Sequence, residues 1–460
     1  MISSRISWIW FSLACGQGSR IAVRLLCSFG GPEEIYRASR KKLTEFFDGR
    51  DSAVVRRLCD KDLSRAKEID DICTMHNIGI LTPDDANYPS SLYQLRDAPV
   101  LLYTLGTLPD FNNRCACAVV GTRKMSEYGK KMAYELGRGL AAGGAILVSG
   151  MALGNDSMAM AGALDKNGTV VGVFGCGVDI VYPPEHKTLM KRILENGCIL
   201  SEYPPGTPPA GVHFPVRNRL ISGLSNGVVV VEGDRQSGAL ITARHALYQG
   251  KDIYAVPGPV GAVTSEGSNA LIKSGARIAT GAADILEAYE FLYPHSVRIS
   301  AAEKENKSIP AESAQLAAEK MHVSARGGTN YYGEGLYGGT RTEDAVRRPP
   351  VKKEKPKETK IPPKKMVEQF RAHEPKNARP MIQSRHVELD MLGETEKKIY
   401  EALVPDVPVL ADDIPVKDLT MSAILAALTM LELCGAVECS AGGYYLRRGA
   451  DDISVNEPQE

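Results

Sequence analysis

The stretch HFPVRNRLISGLSNGVVVVEGDRQSGALITARHAL, residues 213–247, decides the fold. It contains the unbroken valine run Val228–Val231, which is typical of a parallel strand buried on both faces. The polar turn Glu232–Gln236 follows, and Ser237-Gly238 then opens a helical pattern of apolar residues. A helix that begins directly after a parallel strand leaves backbone N–H groups free at the strand's carboxyl end, and these favour an anion such as phosphate. The stretch therefore predicts a strand–turn–helix unit that faces a phosphate-bearing ligand.

The middle of the chain repeats this alternation of strand and helix. We predict strands at residues 115–120, 145–148, 169–174, 198–201, 227–231 and 252–256, with helical patterns between them. Such alternation predicts a parallel sheet covered by helices on both faces. The expected fold class is α/β, with an extended Rossmann-like, doubly wound parallel sheet over residues 86–292.

Two smaller domains are predicted at the ends of the chain. Residues 1–85 are expected to be helical, and Gly16-Gln17-Gly18 gives them the outline of a SAM-like or helix-hairpin-helix unit. The hairpin amides of such a unit can hold a DNA phosphate, but the glycines could equally just turn one helix against the next. Residues 389–450 predict a winged helix followed by a tail at 451–460. The helix predicted over 421–433 contains no Arg, Lys, Asn or Gln that could contact the edges of DNA bases. This composition favours a helix that packs in a core or contacts a protein.

The segment 293–388, between the sheet domain and the winged helix, predicts a disordered linker. Apolar periodicity stops there, and residues 347–385 are rich in lysine, arginine and proline. The linker would tether the two domains, or it would grip nucleic acid non-specifically through its basic residues.

The composition sets limits on the class of protein. The chain has 460 residues, 43% hydrophobic and 24% charged, and a formal net charge of +0, so any attraction to nucleic acid must come from local charge. Ten cysteines without a C-x-x-C pair fit free thiols in a reducing cytoplasm, and we expect neither a metal nor a cofactor. The longest apolar runs are too short to span a membrane, so a cytoplasmic location without a membrane partner is expected.

The predicted ligand site lies outside the carboxyl ends of the strands, where the crevice of an open α/β sheet forms. Glycine turns follow several strands, and a basic segment precedes the fifth one. The residues expected to converge there are Gly121, Thr122, Arg123, Ser149, Gly150, Arg217, Asn218, Arg219, Ser237 and Gly238. Arg217 could instead pair with Glu202 and brace the sheet.

The order of these motifs resembles the DNA-processing protein A family (DprA, also called Smf) of bacteria. The resemblance is carried by Val120–Arg123, Ser149-Gly150, Ser201–Pro204, Phe214-Pro215, Arg217–Arg219, Ser237-Gly238 with Thr242, Pro257-Gly258, and Gly267 with Asn269. It implies a protein that binds single-stranded DNA, is not an enzyme and forms a homodimer. It also implies protection of incoming strands in natural transformation (competence) and assistance in loading the RecA recombinase.

The same resemblance implies which residues contact the strand. Arg123 and the segment Arg217-Asn218-Arg219 would contact the phosphates of the single-stranded DNA. Phe214, Thr242 and Lys273 join the candidate site on the resemblance as well. The chain departs from the family pattern in two places. Leu153 and Met160 stand where many members carry an arginine and a histidine, and the segment Pro209-Ala210-Gly211-Val212 before Phe214 is often basic in the family.

An enzyme is the main alternative. A Rossmann-like phosphoribohydrolase of the lysine-decarboxylase-like group would share the sheet, but it needs a carboxylate near the helix start, and Ser237–Thr242 has none. Glu232 and Asp234 precede that start and could serve, or they could be ordinary acidic turn residues. A dinucleotide site is disfavoured, because the turn Gly121–Ser126 lacks the second and third glycines of G-x-G-x-x-G.

Overall fold

The computed structural model describes most of the chain before the predicted linker and parts of the chain after it. The described residues are 3–308 apart from 48 and 50–52, residue 313, residues 393–403, and separate short stretches between 409 and 447. The predictions for residues 309–312 and 314–388 of the linker and for the tail at 451–460 fall outside these residues.

Residues 4–75 form helices, whereas Gly79–Leu81, inside the predicted helical domain 1–85, form a strand of the sheet. The helices are α1 (Ser4–Cys15), α2 (Arg20–Phe29), α3 (Pro32–Arg37), α4 (Arg40–Phe46), α5 (Ala53–Cys59) and α6 (Ser64–Met75). Large side chains on α1, Trp8 and Phe11 among them, are almost completely buried and form the centre of this region. Helix α1 ends at Gly16, which has a φ of 80° that a side-chain-bearing residue rarely adopts.

A nine-stranded sheet forms the core of the protein. Its strands are β1 (Gly79–Leu81), β2 (Leu102–Gly106), β3 (Ala116–Val120), β4 (Ile146–Ser149), β5 (Val170–Phe174), β6 (Gly197–Ser201), β7 (Gly227–Val230), β8 (Asp252–Ala255) and β9 (Arg277–Ile278). The order across the sheet is β1-β2-β6-β5-β4-β3-β7-β8-β9. Strands β3 to β9 are mutually parallel, which confirms the Rossmann-like α/β class.

The prediction of a wholly parallel sheet is wrong at one edge. Strand β2 pairs antiparallel with β6, and β1 pairs antiparallel with β2. A parallel pair needs a crossover connection, usually a helix, whereas the segment between β1 and β2 contains only a short 3₁₀ turn at Ser90–Gln94. These two strands therefore close the edge in the antiparallel sense.

The strand order reverses between β3 and β7. From β3 the chain adds β4, β5 and β6 on one side, and it then returns to add β7, β8 and β9 on the other side. Ligands of open α/β sheets bind at such a switch point, outside the carboxyl ends of the two central strands. The topology thus directs attention to the turns that follow β3 and β7.

Helices cover both faces of the sheet. They are α7 (Glu127–Ala142), α8 (Asn155–Asp165), α9 (Lys187–Glu195), α10 (His213–Gly223), α11 (Gly238–Tyr248), α12 (Glu266–Lys273) and α13 (Ala282–Leu286). Ser126 and Ser237 accept backbone hydrogen bonds from the first turns of α7 and α11 and so cap these two helices. Helix α8 is buried along nearly its whole length between α7 and the sheet.

Replacing Gly137 with alanine should lower the free energy of unfolding by about 1–3 kcal/mol, because it overpacks the contact between α7 and α8. A Cβ atom at Gly137 would lie 2.0 Å from the carbonyl oxygen of Ala159 on α8. Helix propensity alone predicts the opposite, a gain of about 1 kcal/mol. Chemical denaturation of the variant decides between them, and a midpoint above that of the unmodified protein would contradict the tight contact.

The predicted linker begins too early. Helix α14 (Ile299–Ser308) packs on α7 and α13, and both Val297 and Ala302 are buried. Glu305 is 5% exposed, and its carboxylate pairs with Arg138 and, at 2.7 Å, with Lys166. The apolar periodicity of the sequence did not predict this helix. The contacts that hold α14 on the sheet domain are the buried ion pairs of Glu305 and a few small apolar side chains.

The C-terminal region has a small core of its own. Helix α15 (Glu394–Ala402) packs through Ile399 and Leu403 against buried residues that include Leu428 and Leu431. Strands β10 (Val409–Leu410), β11 (Val437–Cys439) and β12 (Tyr444–Arg447) form an antiparallel sheet in the order β10-β12-β11. Strands β11 and β12 pair antiparallel with each other, and the winged helix as a whole stays a prediction.

Candidate functional site

The turns after β3 and β4 meet at one buried carboxylate. The backbone N–H groups of Gly121 and Gly150 donate to the two oxygens of Asp156 at 3.2 and 3.1 Å. The N–H group of Thr122 donates to the carbonyl oxygen of Glu232 at 2.8 Å. These turn amides are therefore engaged within the protein, contrary to the expectation that they are free for a phosphate. An anion at these turns must be held mainly by side chains.

Arg217 lies beneath this site rather than on its surface. It is 6% exposed, and its guanidinium donates to the carbonyl oxygens of Val173 and, at 3.1 Å, of Gly150. Burial raises the pKa of Asp156 and the nearby Arg217 lowers it. Burial also lowers the pKa of Arg217 to about 10, which still leaves the side chain protonated at neutral pH. Arg217 thus supplies the positive charge that balances Asp156.

Arg219 points to a different part of the core. Its Nη2 lies 2.5 Å from Oε2 of Glu202, and its Nε lies 3.6 Å from a carboxylate oxygen of Asp97. Both Arg219 and Glu202 are buried. The suggested pair between Arg217 and Glu202 is therefore wrong, because residues two apart on a helix face different directions and Arg219 is the one that reaches Glu202.

The rest of the site consists of an exposed cation and stacked rings, which are half-buried except for the buried Tyr203. The guanidinium of Arg123 is exposed and lies 5.8 Å from the ring centre of Phe214. Phe214 stacks on Tyr182, with ring centres 5.4 Å apart and planes inclined by 26°. A second stacked pair, Tyr203 and His213, has ring centres 4.1 Å apart. We call Tyr182, Tyr203, His213 and Phe214 the aromatic platform.

Sequence reasoning found only one ring of this platform. Phe214 entered the candidate set through the family resemblance, whereas Tyr182, Tyr203 and His213 were missed. Tyr182 and Tyr203 each precede a proline in the segment that follows a parallel strand, eight residues after β5 and two residues after β6. This Tyr-Pro pair in two successive segments after strands is the signal that could have found them.

The other candidates occupy several environments. Asn218 is half-buried, accepts from Nε of Arg217 at 3.2 Å and lies 3.5 Å from the carbonyl oxygen of Gly238. Ser149 is buried and donates to the carbonyl oxygen of Val119 at 2.6 Å. The remaining candidates are Ser237 at the cap of α11, Thr242 buried within that helix, and Lys273 exposed at the end of α12.

The fold and these contacts define a Rossmann-like α/β protein that presents an exposed arginine beside stacked aromatic rings, in segments that follow the parallel strands. Residues 79–290 match the family model described as DNA recombination-mediator protein A. The chain belongs to the DNA-processing protein A family, whose members are named DprA or Smf.

Relatives in three bacteria show the extent of the match. DNA processing protein DprA of Streptococcus pneumoniae is 41% identical over 207 residues, which are 45% of this chain and 73% of that protein. Its X-ray structure aligns with a TM-score of 0.48 at 35% identity, over 53% of this chain and 86% of that one. Protein Smf of Escherichia coli is 41% identical over 216 residues, 47% of this chain and 58% of that protein.

A further solved structure, DNA processing protein A of Helicobacter pylori, was described for its single-stranded DNA binding mode. It is 31% identical, aligns with a TM-score of 0.43, and covers 47% of this chain and 97% of that one. Separately, within the described residues of the present protein, every helix is too short or too polar to cross a bilayer.

Proposed function

We propose that this protein binds single-stranded DNA across the switch-point crevice and acts in DNA processing during recombination. The observation that carries the proposal is the exposed Arg123 above the stacked rings of Phe214 and Tyr182. Proteins that hold single strands without sequence preference combine cations for the phosphates with aromatic side chains for the bases. Family membership supports the same function.

In this proposal some candidate residues contact the DNA strand, and others hold the turns and the helix that carry them. Arg123 meets a phosphate directly, with Thr122, Asn218 and the exposed edge of Phe214 beside it. Arg217 and Arg219, which the resemblance places on the strand, hold the underlying turns and helix α10, since both are buried. Side chains that read base edges are few at this site, so binding should depend weakly on sequence.

Further functional roles are proposed on family membership alone. They are homodimerisation, protection of incoming strands in natural transformation, and loading of RecA. A cytoplasmic location belongs to the same set of proposals.

The structure favours binding over the rival nucleotide-processing enzyme. Glu232, the carboxylate best placed for such an enzyme, is 1% exposed and accepts hydrogen bonds from the amide and hydroxyl of Ser126 at 3.0 and 2.5 Å. Asp234 accepts from the amide of Gln236 at 2.9 Å, as an ordinary turn residue does. Both carboxylates are thus occupied in holding turns.

The test is binding of a fluorescent oligo-dT and of the matching duplex across a range of salt. Arg123→Glu should weaken binding to the single strand about tenfold or more, because a charge-assisted contact is worth about 1.5–3 kcal/mol. The salt slope should fall by about 0.7, the value for one phosphate of a single strand. Lys191→Glu, an equal charge change on the exposed face of α9, is the control and should bind normally.

Two outcomes would contradict the proposal. If binding survives Arg123→Glu but is lost when residues 347–385 are deleted, the activity belongs to the basic segment rather than the crevice. If the unmodified protein binds no oligonucleotide at all, the nucleotide-enzyme alternative returns, and release of the base from nucleoside monophosphates becomes the next assay.

A further inference from the structure

The glycine hairpin between α1 and α2 docks on the helix that carries the aromatic platform. A Cβ atom at Gly18 would lie 3.0 Å from Cγ1 of Val216 and 3.4 Å from Nε of Arg219, both on α10. A hydrogen bond from the backbone of Gly18 also helps to hold down the pKa of Glu202, although burial raises that pKa overall. The hairpin is therefore occupied by a contact within the protein, and the alternative in which its amides hold a DNA phosphate is not supported.

This docking brings the start of α2 beside α10. Helix α2 begins at Arg20, two residues after Gly18, and Arg24 follows one turn later on the same face. Both arginines are exposed. A cationic stripe thus starts beside the side of α10 that carries Val216 and Arg219, and Phe214 lies on the same first turns of that helix but faces another direction.

Helix α4 widens this stripe. The guanidinium of Arg24 lies 5.3 Å from the ring centre of Phe46, which is on α4. Lys41 and Lys42 on the same helix are exposed, and Glu45 is the only carboxylate within α4. Within the residues that the structure describes, no ion pair joins Arg20, Arg24, Lys41 or Lys42 to a carboxylate.

The aromatic contacts between α2 and α4 add a second feature of a nucleic-acid surface. Phe46 makes edge-to-face contacts with Phe29 at 5.9 Å and with Phe47 at 5.1 Å, and all three rings are only partly buried. Cations that alternate with partly exposed rings suit a phosphate backbone with unstacked bases. Isolated surface lysines would not provide the rings.

We propose that Arg20, Arg24, Lys41 and Lys42, the basic face, continue the path of a single strand from the crevice onto the N-terminal helices. This inference rests on the proposed function, because the strand reaches the basic face from the Arg123–Phe214 contact. A short strand occupies the crevice alone. A longer strand gains additional phosphate contacts on α2 and α4 and binds more tightly.

The experiment compares oligo-dT of about 6 nucleotides, near the lower end of the usual site size of a single-strand-binding unit, with oligo-dT of about 20 nucleotides, above its upper end. The double variant Arg20→Glu/Arg24→Glu should weaken binding of the longer strand about tenfold or more and reduce its salt slope by about 1.4, twice the value for one phosphate. Binding of the shorter strand should stay within about twofold of the unmodified protein. Lys67→Glu/Lys191→Glu, exposed lysines outside the basic face, serves as the charge-matched control.

Each other outcome has a definite meaning. The proposal would be overturned if the double variant weakened binding of both lengths equally, or if it left binding of the longer strand unchanged. Preferential loss of duplex binding would also overturn it, because it would assign these residues to a different nucleic acid. Failure of the unmodified protein to bind either length overturns the proposed function itself. If the glutamate variant melts early, Arg20→Gln/Arg24→Gln repeats the comparison without charge reversal.

Discussion

Replacing Arg217 with alanine should lower the free energy of unfolding by about 3–5 kcal/mol, the range expected when a buried charge loses the opposite charge that compensates it. Asp156 would remain buried without the cation that lowers its pKa. The carbonyl oxygens of Gly150 and Val173 would each lose a donor. Urea denaturation followed by circular dichroism measures the change.

Arg123→Ala is the matched control for this measurement. It also removes an arginine from the site, but an exposed one, so stability should change by no more than about 0.5 kcal/mol. The salt slope of strand binding separates the two roles of Arg217. A stable Arg217→Ala variant with a lower salt slope would show that this arginine contacts the strand, and the buried role described here would then be rejected.

Replacing Arg219 with alanine should also cost about 3–5 kcal/mol, because it leaves the carboxylate of Glu202 without its partner in the protein interior. The loss has a second consequence, since Arg219 and Glu202 both contact the hairpin residue Gly18. The N-terminal helices should therefore become accessible to protease earlier in a urea series than the sheet does.

A double-mutant cycle tests whether the expected loss of stability comes from breaking the Arg219–Glu202 pair or from removing the charge of Arg219 alone. Arg219→Met combined with Glu202→Leu should be far more stable than the sum of the single changes predicts, because it removes both buried charges together. Strict additivity of the two losses would mean that the 2.5 Å contact between Nη2 and Oε2 contributes nothing specific.

The sequence predicted the parts of the fold that local pattern determines. Strand β7 and its parallel neighbours are short apolar runs with turn residues at each end, and their shared direction followed from their alternation with helical patterns. The convergence of Arg123 and Gly150 at one edge followed from the general position of ligand sites in α/β sheets. The family resemblance supplied Phe214, and the structure then located it over Tyr182.

The features that the sequence did not predict depend on contacts between distant segments. The antiparallel edge made by β1 and β2 is decided by which strand is available to pair with β6. The burial of Arg217 and Arg219 is decided by Asp156 and Glu202, which no helical or strand periodicity connects to them. The sequence therefore predicted that the basic segment Arg217-Asn218-Arg219 lies on the surface, although the side chains of Arg217 and Arg219 are buried.

The ion pairs of Glu305 decide where the sheet domain can be separated from the rest of the chain. A shortened protein that stops at residue 292 would strip the carboxylate from Arg138 and Lys166 and uncover the side chains of α7 beneath Ala302. One that stops after Ser308 keeps the whole contact. Shortened proteins that are made to separate the domains should therefore end after α14. A protein that ends before α14 would be degraded or would aggregate, and its loss of activity would be misread as a role for the C-terminal half.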